Sequence, residues 1–185
     1  LQPVDAASSI QQMWLESVQR TGLAESPHIT QRPIEFNGVA KPNRADTGGG
    51  SSPAYFYRVS QVFSEIGGRV DVSYGQPDPC STTPSSWATQ TNDCYPVYWT
   101  PEGQPGGFGV FLKYVVTDIS VADRIGGSPT QTTTYTYGGG AAWHHNDDPY
   151  TPDVAVTWDQ WRGYETVKAV TGSGPDRKVV KTRYY

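Results

Sequence analysis

The sequence predicts an all-β protein, built as an antiparallel meander of β-hairpins with little or no helix. Twelve Tyr and six Trp, together with many Val and Thr, favour pleated and half-buried surfaces over helices. Twenty Gly and fifteen Pro interrupt the 185-residue chain too often for long helical runs. The third observation is a unit of strand, glycine turn and strand that occurs three times.

The first segment with a regular pattern, residues 8–20, fits either a helix or a strand. Four residues recur at helical spacing, namely Ile10, Met13, Trp14 and Ser17. Alternation through Met13, Leu15 and residues 17–19 also suits a strand. The strand is the preferred interpretation.

Three hairpins follow. The first spans residues 55–75 and turns at Gly67 and Gly68, since glycine accepts the positive φ values of a tight turn. The second spans residues 112–140 with its turn at 123–129, and the third spans 161–185 with its turn at 171–177. Alternation in the strands predicts that one set of side chains faces a core. These sets are Val70/Val72/Tyr74, Val115/Thr117/Ile119/Val121 and Val167/Ala169/Thr171.

Irregular segments separate the hairpins. By composition, residues 43–53 form a flexible linker, and residues 76–93 and 138–159 form long loops. The chain has no initiator Met, and it ends within a strand-like alternation at Tyr185. Residues 1–185 are therefore expected to be a single β-rich segment of a larger chain.

Charge and hydropathy exclude two classes of partner. The formal charge of -4 comes from scattered acids and bases, with no basic face of the kind that binds nucleic acid. No run of about 18 apolar residues is present, so no membrane span is expected. No motif calls for a cofactor.

Cys80 and Cys94 are the two cysteines of the chain, and they lie in a segment rich in Pro, Ser and Thr. A disulfide is the preferred interpretation, and two reduced, buried thiols are the alternative. A bridge is useful only in an oxidising place, which indicates a secreted or cell-surface protein.

The sequence TYTYGGGAAWHHNDD, residues 134–148, contains the metal-ligand candidates His144, Asp147 and Asp148. Asp followed by Pro is equally typical of a turn, and the spacing matches no strong metal motif. A structural loop is the preferred interpretation. Paired carboxylates could also serve a glycosidase, and the candidates are Asp71, Asp118, Asp123, Asp147, Asp148, Asp159 and Glu165.

No nucleophile motif accompanies these carboxylates. Serine occurs in no G-x-S-x-G elbow, and GGG at residues 138–140 is followed by no GK[ST]. We therefore expect no catalysis. Aromatic residues in the irregular segments could stack on sugar rings, with Trp99, Trp143 and Trp158 as the candidates. Packing over loops is the preferred role for them.

Six blocks in order resemble actinobacterial RHS/YD-repeat proteins, in the region ahead of the repeats. They are NRADT (43–47), YRVSQVFSEIGGRVDVSYG (57–75), CYPVYWTPEG (94–103), KYVVTDISVAD (113–123), YTYGGGAAWHHNDD (135–148) and WDQWRGYETVKAVTG (158–172). The chain contains no typical YD repeat and no self-cleaving core. His145 departs from the family pattern, which often has an aromatic residue there.

The resemblance implies a structural role. RHS proteins are large secreted or surface chains whose strands spiral into a hollow shell, which encloses a C-terminal toxin in many members. The chain would then be part of the shell wall or a β-sandwich-like sheet attached to it. Exposed strand edges would associate with the remaining parent chain or with a second copy. The alternative is a carbohydrate-binding or glycan-processing β-sandwich that uses the loop aromatics with Asp147 and Asp148.

Overall fold

The computed structural model describes residues 2–3, 11–24, 26–45, 54–80, 83–100 and 105–185. These residues form an all-β structure, as the composition predicts. The fourteen strands are β1 (Gln2–Pro3), β2 (Gln11–Gln12), β3 (Ser17–Val18), β4 (Thr21–Gly22), β5 (Ile29–Thr30), β6 (Ile34–Lys41), β7 (Phe56–Phe63), β8 (Gly68–Gly75), β9 (Cys94–Trp99), β10 (Gly107–Leu112), β11 (Val115–Asp123), β12 (Gln131–His144), β13 (Gln160–Thr171) and β14 (Lys178–Arg183). The helical structure in the described ranges is a single 3-10 turn, Asp153–Ala155.

Eight strands form one antiparallel sheet in the order β14-β13-β12-β11-β8-β7-β6-β3. The three predicted hairpins are confirmed as β7–β8, β11–β12 and β13–β14. Several pairings were not predicted from the sequence, namely β6 beside β7 and the separate two-stranded sheets β9–β10, β4–β5 and β1–β2. Residues 11–20 contain only the short strands β2 and β3 and no helix, whereas residues 8–10 lie outside the described ranges.

Bulges interrupt the sheet at four points, and the observed strands correct one predicted alternation and one predicted loop boundary. Val116 and Asp118 pair with consecutive residues of β8, so Thr117 is an extra residue and the predicted alternation of β11 breaks there. The predicted loop 138–159 starts too early, because β12 continues to His144. Gly139 and Gly140 are the extra residues of a bulge opposite Glu165, so the glycines lie within the strand rather than at its end.

The core lies where the β9–β10 hairpin meets β12 and β13. Cys94 and Tyr164 are buried there together with Leu112 and Ala141. Backbone hydrogen bonds join the 76–93 segment to its neighbours. The Lys113 N–H, directly after β10, donates to Asp93 O at 2.8 Å, and the Ala141 N–H of β12 donates to Thr91 O at 2.8 Å. Most side chains of the large sheet are only half-buried, including the alternating sets predicted to face a core, except Val121. The prediction is wrong for Val121, which is 49% exposed because the bulge at Thr117 shifts the alternation of β11.

The first residues of the predicted linker 43–53 belong to the ordered structure. Arg44 pairs with Phe111 in an isolated bridge and is 6% exposed. Leu112 N–H also donates to the carbonyl of Asn43 at 2.8 Å. Residues 46–53 lie outside the described ranges. The predicted loop 76–93 has no strand in its described residues, from which 81 and 82 are missing.

The predicted disulfide is present. Cys80 and Cys94 are bonded, with their Cα atoms 5.8 Å apart. The bond ties the 76–93 segment to the first residue of β9. A structural disulfide is typical of oxidising, extracytoplasmic environments. No helix in the described ranges is long and apolar enough to cross a bilayer.

Candidate functional site

The loop that carries His144 to Asp148 is positioned by the glycine bulge in β12. Gly139 and Gly140 have φ of 89° and 76°, which side-chain-bearing residues rarely adopt. A Cβ on Gly140 would lie 2.6 Å from the Thr91 Cβ, and a Cβ on Gly139 would lie 2.5 Å from the Glu165 Cβ. The glycines therefore allow β12 to bend next to the 76–93 segment. The strand then continues to His144, its last residue.

His144 and Asp147 meet at the side chain of Gln160, across the end of the β12–β13 pair. Gln160 Nε2 donates to Asp147 Oδ1 at 2.9 Å, and His144 Nδ1 lies 3.2 Å from Gln160 Oε1. The hydrogen bond from Gln160 lowers the pKa of Asp147, and the charges of His144 and Arg162 act in the same direction. The amide of Gln160 thus contacts two of the three metal-ligand candidates, His144 and Asp147.

Asp148 forms the turn hydrogen bonds that the Asp-Pro sequence suggests. Its Oδ1 accepts the Tyr150 N–H at 3.0 Å, and its own N–H donates to Asn146 Oδ1 at 2.9 Å. These contacts are short-range Asx turns. No group of three His, Cys, Asp or Glu side chains in the described ranges is arranged to hold a metal ion.

The carboxylates considered for a glycosidase have separate polar partners. Asp71 accepts from Gln61 and Arg69 at 2.9 and 2.8 Å, and Asp118 accepts from Thr134 at 2.8 Å. Glu165 pairs with Arg183 at 2.5 Å. Asp159 receives a long hydrogen bond of 3.4 Å from Asn146, and burial raises its pKa. Each contact stabilises a strand pair or a loop.

Two of the three ligand-stacking candidates lie inside a chain of aromatic contacts. Trp143 stacks on Tyr95 with centroids 4.8 Å apart and meets Trp161 edge-on at 4.8 Å. Its indole N–H donates to the Asn92 carbonyl at 3.0 Å. Trp99 packs edge-on against Phe111, and the Arg44 guanidinium lies 4.2 Å from the Trp99 centroid. Both rings are therefore used to pack the β9–β10 hairpin.

Trp158 is separate from this aromatic chain. It meets His145 edge-on, with centroids 5.5 Å apart, in the 145–159 loop. The histidine that departs from the RHS pattern therefore makes an aromatic contact of its own. The loop is also tied down by the Asn146 N–H, which donates to Thr157 O at 2.7 Å.

Asp93 is the polar centre of the core, although no sequence motif indicated it. Its carboxylate accepts hydrogen bonds from the Tyr164 hydroxyl and, at 2.8 Å, from the Asp78 N–H. Its backbone carbonyl accepts from Gln76 Nε2 at 3.0 Å. Burial raises the pKa of Asp93, and the two hydrogen bonds to its carboxylate oppose that rise. An Asp directly before a disulfide Cys was the available signal.

A groove of about 220 Å³ lies on the sheet face beside this core. Its aromatic walls are Tyr137, Trp161, Tyr164 and Tyr184. Tyr137 and Tyr164 are in ring contact at 4.8 Å, so the floor of the groove is fixed by packing. Arg162 supplies a charged group at the rim. No local sequence pattern indicated this groove, because its residues come from β11, β12, β13 and Tyr184.

Comparison with protein-family models, with curated proteins and with solved structures finds no match for this chain. Its function is therefore inferred from the fold and from the contacts described above.

Proposed function

We propose that the chain is a structural β-sheet segment of a large secreted or surface RHS-like protein, a piece of shell wall without catalysis of its own. The observation that carries this proposal is the open edge of the sheet at β14. In the described residues β14 pairs only with β13, and all six of its residues are exposed. Such an edge is a template for another strand.

The pairing of β13 with β14 shows which backbone groups of β14 are left for another strand. Tyr184 N–H donates to Glu165 O at 2.8 Å, and the β13–β14 register has no shift. Because strand residues alternate sides, the N–H groups of Val179, Lys181 and Arg183 point away from β13. Those of Lys178, Val180 and Thr182 point towards it.

The charge of β14 favours a strand from the parent chain over a second copy. Lys178, Lys181 and Arg183 are exposed along the strand. Two copies of β14 paired edge to edge would place like charges close together, which destabilises strand pairs. A continuing strand of the same parent protein, with acidic residues on the facing positions, meets no such repulsion. The resemblance to RHS proteins supports the same partner.

Proline substitutions in the parent protein and in the 185-residue chain test the role of the edge. Lys181→Pro removes an outward N–H, so we expect it to destabilise the parent protein and to leave the isolated chain unchanged. Val180→Pro removes a bond to β13 and should destabilise both. Thermal unfolding measures the outcome. A Lys181→Pro parent as stable as the wild type would overturn the proposal, as would a gene that stops after the Tyr185 codon.

Glycan binding remains the second candidate function, and the aromatic groove favours it. Trp161 and Tyr184 line the groove, and Tyr184 is 58% exposed. Rings of this kind can stack on sugars, although Asp147 and Asp148 take no part in this groove. Polysaccharide pull-down tests the candidate with Trp161→Ala, and Trp99→Ala outside the groove is the control. Binding that only Trp161→Ala removes would establish a glycan site, whereas absence of binding by the wild type would eliminate it.

A further inference from the structure

Three cations from different parts of the chain each lie against one of two aromatic rings, Tyr114 or Trp161. Arg58 of β7 and Lys41 of β6 approach Tyr114, with the Arg58 Cζ 5.1 Å and the Lys41 Nζ 5.8 Å from its centroid. Lys113, the preceding residue, places its Nζ 5.1 Å from the Trp161 centroid. All three cations are half-buried. Their desolvation is therefore unfavourable unless an opposite charge compensates it.

Within the described part of the chain, no carboxylate forms an ion pair with Lys41, Arg58 or Lys113. The ion pairs there join Arg20 to Glu65, Arg69 to Asp71 and Arg183 to Glu165. The buried Asp93 carboxylate lies in the same region but is already bonded to Tyr164 and Asp78. The Arg58 Nε–H is buried without a hydrogen-bond acceptor. A buried donor of this kind is uncommon in native structures.

The electrostatic effects agree with this geometry. Burial lowers the pKa of Lys113, and the charge of Arg58 lowers it further. Burial raises the pKa of Tyr95 and of Tyr114, and the charge of Arg58 opposes the rise at both residues. Arg58 is thus within electrostatic reach of Lys113 and of both tyrosines. The Asp159 carboxylate also acts on Tyr95, where it raises the pKa. Among the described residues no carboxylate acts on Lys113 or on Tyr114, and both residues sense the positive charge of Arg58.

We propose that Lys41, Arg58 and Lys113 form a binding site for an oxyanion, either free phosphate or the acidic group of a sugar. A guanidinium donates through a planar fork that matches carboxylate and phosphate oxygens, and the buried Nε–H of Arg58 is one arm of that fork. The lysines add point charges from two sides. The bound oxyanion accepts the Arg58 donor and neutralises the cluster. This site is independent of the open edge at β14.

Calorimetric titration of the 185-residue chain at low ionic strength tests the site with inorganic phosphate, galacturonate and uncharged galactose. We expect phosphate or galacturonate to bind and galactose not to bind. Arg58→Met should weaken binding about tenfold, because a charge-assisted hydrogen bond is lost. Lys178→Met, on exposed β14, is the matched control and should bind as the wild type does. Tighter binding of phosphate assigns free phosphate, and tighter binding of galacturonate assigns an acidic sugar.

The pKa of Lys113 supplies a readout that needs no variant. Binding of an oxyanion favours the charged ammonium, so NMR titration of the Lys113 ε-methylene should show a higher pKa with the anion than without it. Should Arg58→Met fail to fold, Lys41→Met replaces it, with the same expected loss of binding. Failure of both anions to bind, or binding that neither Arg58→Met nor Lys41→Met weakens, would overturn the proposal. An unchanged Lys113 pKa at saturating anion would also overturn it.

Discussion

The Tyr164 hydroxyl donates a hydrogen bond to the Asp93 carboxylate, which lies 71 residues earlier in the chain. Tyr164 belongs to β13 of the large sheet, and Asp93 directly precedes β9 of the separate hairpin. Tyr164 is 6% exposed and Asp93 is fully buried. This contact therefore joins the hairpin to the sheet at the centre of the core.

Tyr164→Phe should destabilise the protein by about 1 to 3 kcal/mol, because it leaves a buried carboxylate with one fewer donor. Urea unfolding measures the change. Tyr150→Phe is the control, because Tyr150 is 91% exposed and should tolerate loss of its hydroxyl. Equal free energies of unfolding for the two variants would show that the contact does not stabilise the fold.

The same substitution should raise the pKa of Asp93. Burial already raises this pKa, and the hydrogen bond from Tyr164 lowers it towards its ordinary value. Removing the donor leaves burial less opposed, so the Asp93 carboxyl should titrate at higher pH in Tyr164→Phe than in the wild type. Carbon-detected NMR of the carboxyl group measures this, and a fall in the pKa would contradict the assigned geometry.

The carboxylate of Asp123 should make the free energy of unfolding depend on pH. Hydrogen bonds from the N–H groups of Gly126 and Ile125, and from the Ser128 hydroxyl, lower the pKa of Asp123 to about 2. A lowered native pKa stabilises the fold above the ordinary value of 3.8, and that contribution is lost as the pH falls towards 2. Asp123→Asn should therefore be less stable than the wild type at pH 6, with the difference disappearing near pH 2.

Asp176→Asn is the matched control for this test, because Asp176 lies in the turn of the third hairpin. Chemical denaturation at pH 2 and pH 6 measures Asp123→Asn, and at pH 6 Asp176→Asn should have the same free energy of unfolding as the wild type. If Asp123→Asn differed from the wild type by the same amount at pH 2 and pH 6, the turn hydrogen bonds would not be acting through the carboxylate charge.

Gly140→Ala should destabilise the protein more than Gly172→Ala does. Both glycines have positive φ, at 76° and 79°, so each substitution should cost about 1 to 2 kcal/mol in backbone strain. A Cβ on Gly140 would also lie 2.6 Å from the Thr91 Cβ, whereas a Cβ on Gly172 meets nothing within 4 Å. Comparison of their thermal midpoints isolates the packing of the bulge. Equal losses would contradict that packing.

Reduction of the Cys80–Cys94 disulfide should lower the free energy of unfolding by about 3 kcal/mol, because the bond closes a short loop in the unfolded chain. Urea unfolding with and without dithiothreitol measures this. The double variant Cys80→Ser/Cys94→Ser should be insensitive to dithiothreitol. Sensitivity of that variant to the reductant would attribute the effect to something other than the bond.

The hairpins and the disulfide were predictable because their signals are local. Gly67, for example, has a φ of 90° in the turn that joins β7 to β8. The β9–β10 hairpin was missed, since PVYW and GFGVFL lie within Pro- and Gly-rich stretches that resemble a loop. Bulges were missed for another reason. Gly139 and Gly140 can end a strand or bend it, and only the close contact with Thr91 and Glu165 selects the bend.

The candidate site residues also divide into those with a local sequence signal and those that depend on contacts between distant elements. His144 and Asp147 were recognisable as chemical groups, but their shared partner Gln160 comes from the next strand and depends on the register of β12 with β13. Asp93 and Tyr164 carried no motif. Their contact depends on the hairpin docking against the sheet, which no local pattern specifies. Packing over loops was the preferred role for Trp143, and its contacts with Tyr95, Trp161 and Asn92 agree with that role.

Amide hydrogen exchange at Lys181 tests the open edge of β14 most directly. The measurement compares the parent protein with the isolated 185-residue chain, and Val180, whose N–H points towards β13, is the internal reference. If β14 pairs with a further strand of the parent, the Lys181 amide exchanges slowly in the parent and fast in the isolated chain, while Val180 is protected in both. Equally fast exchange of the Lys181 amide in both would contradict the structural role.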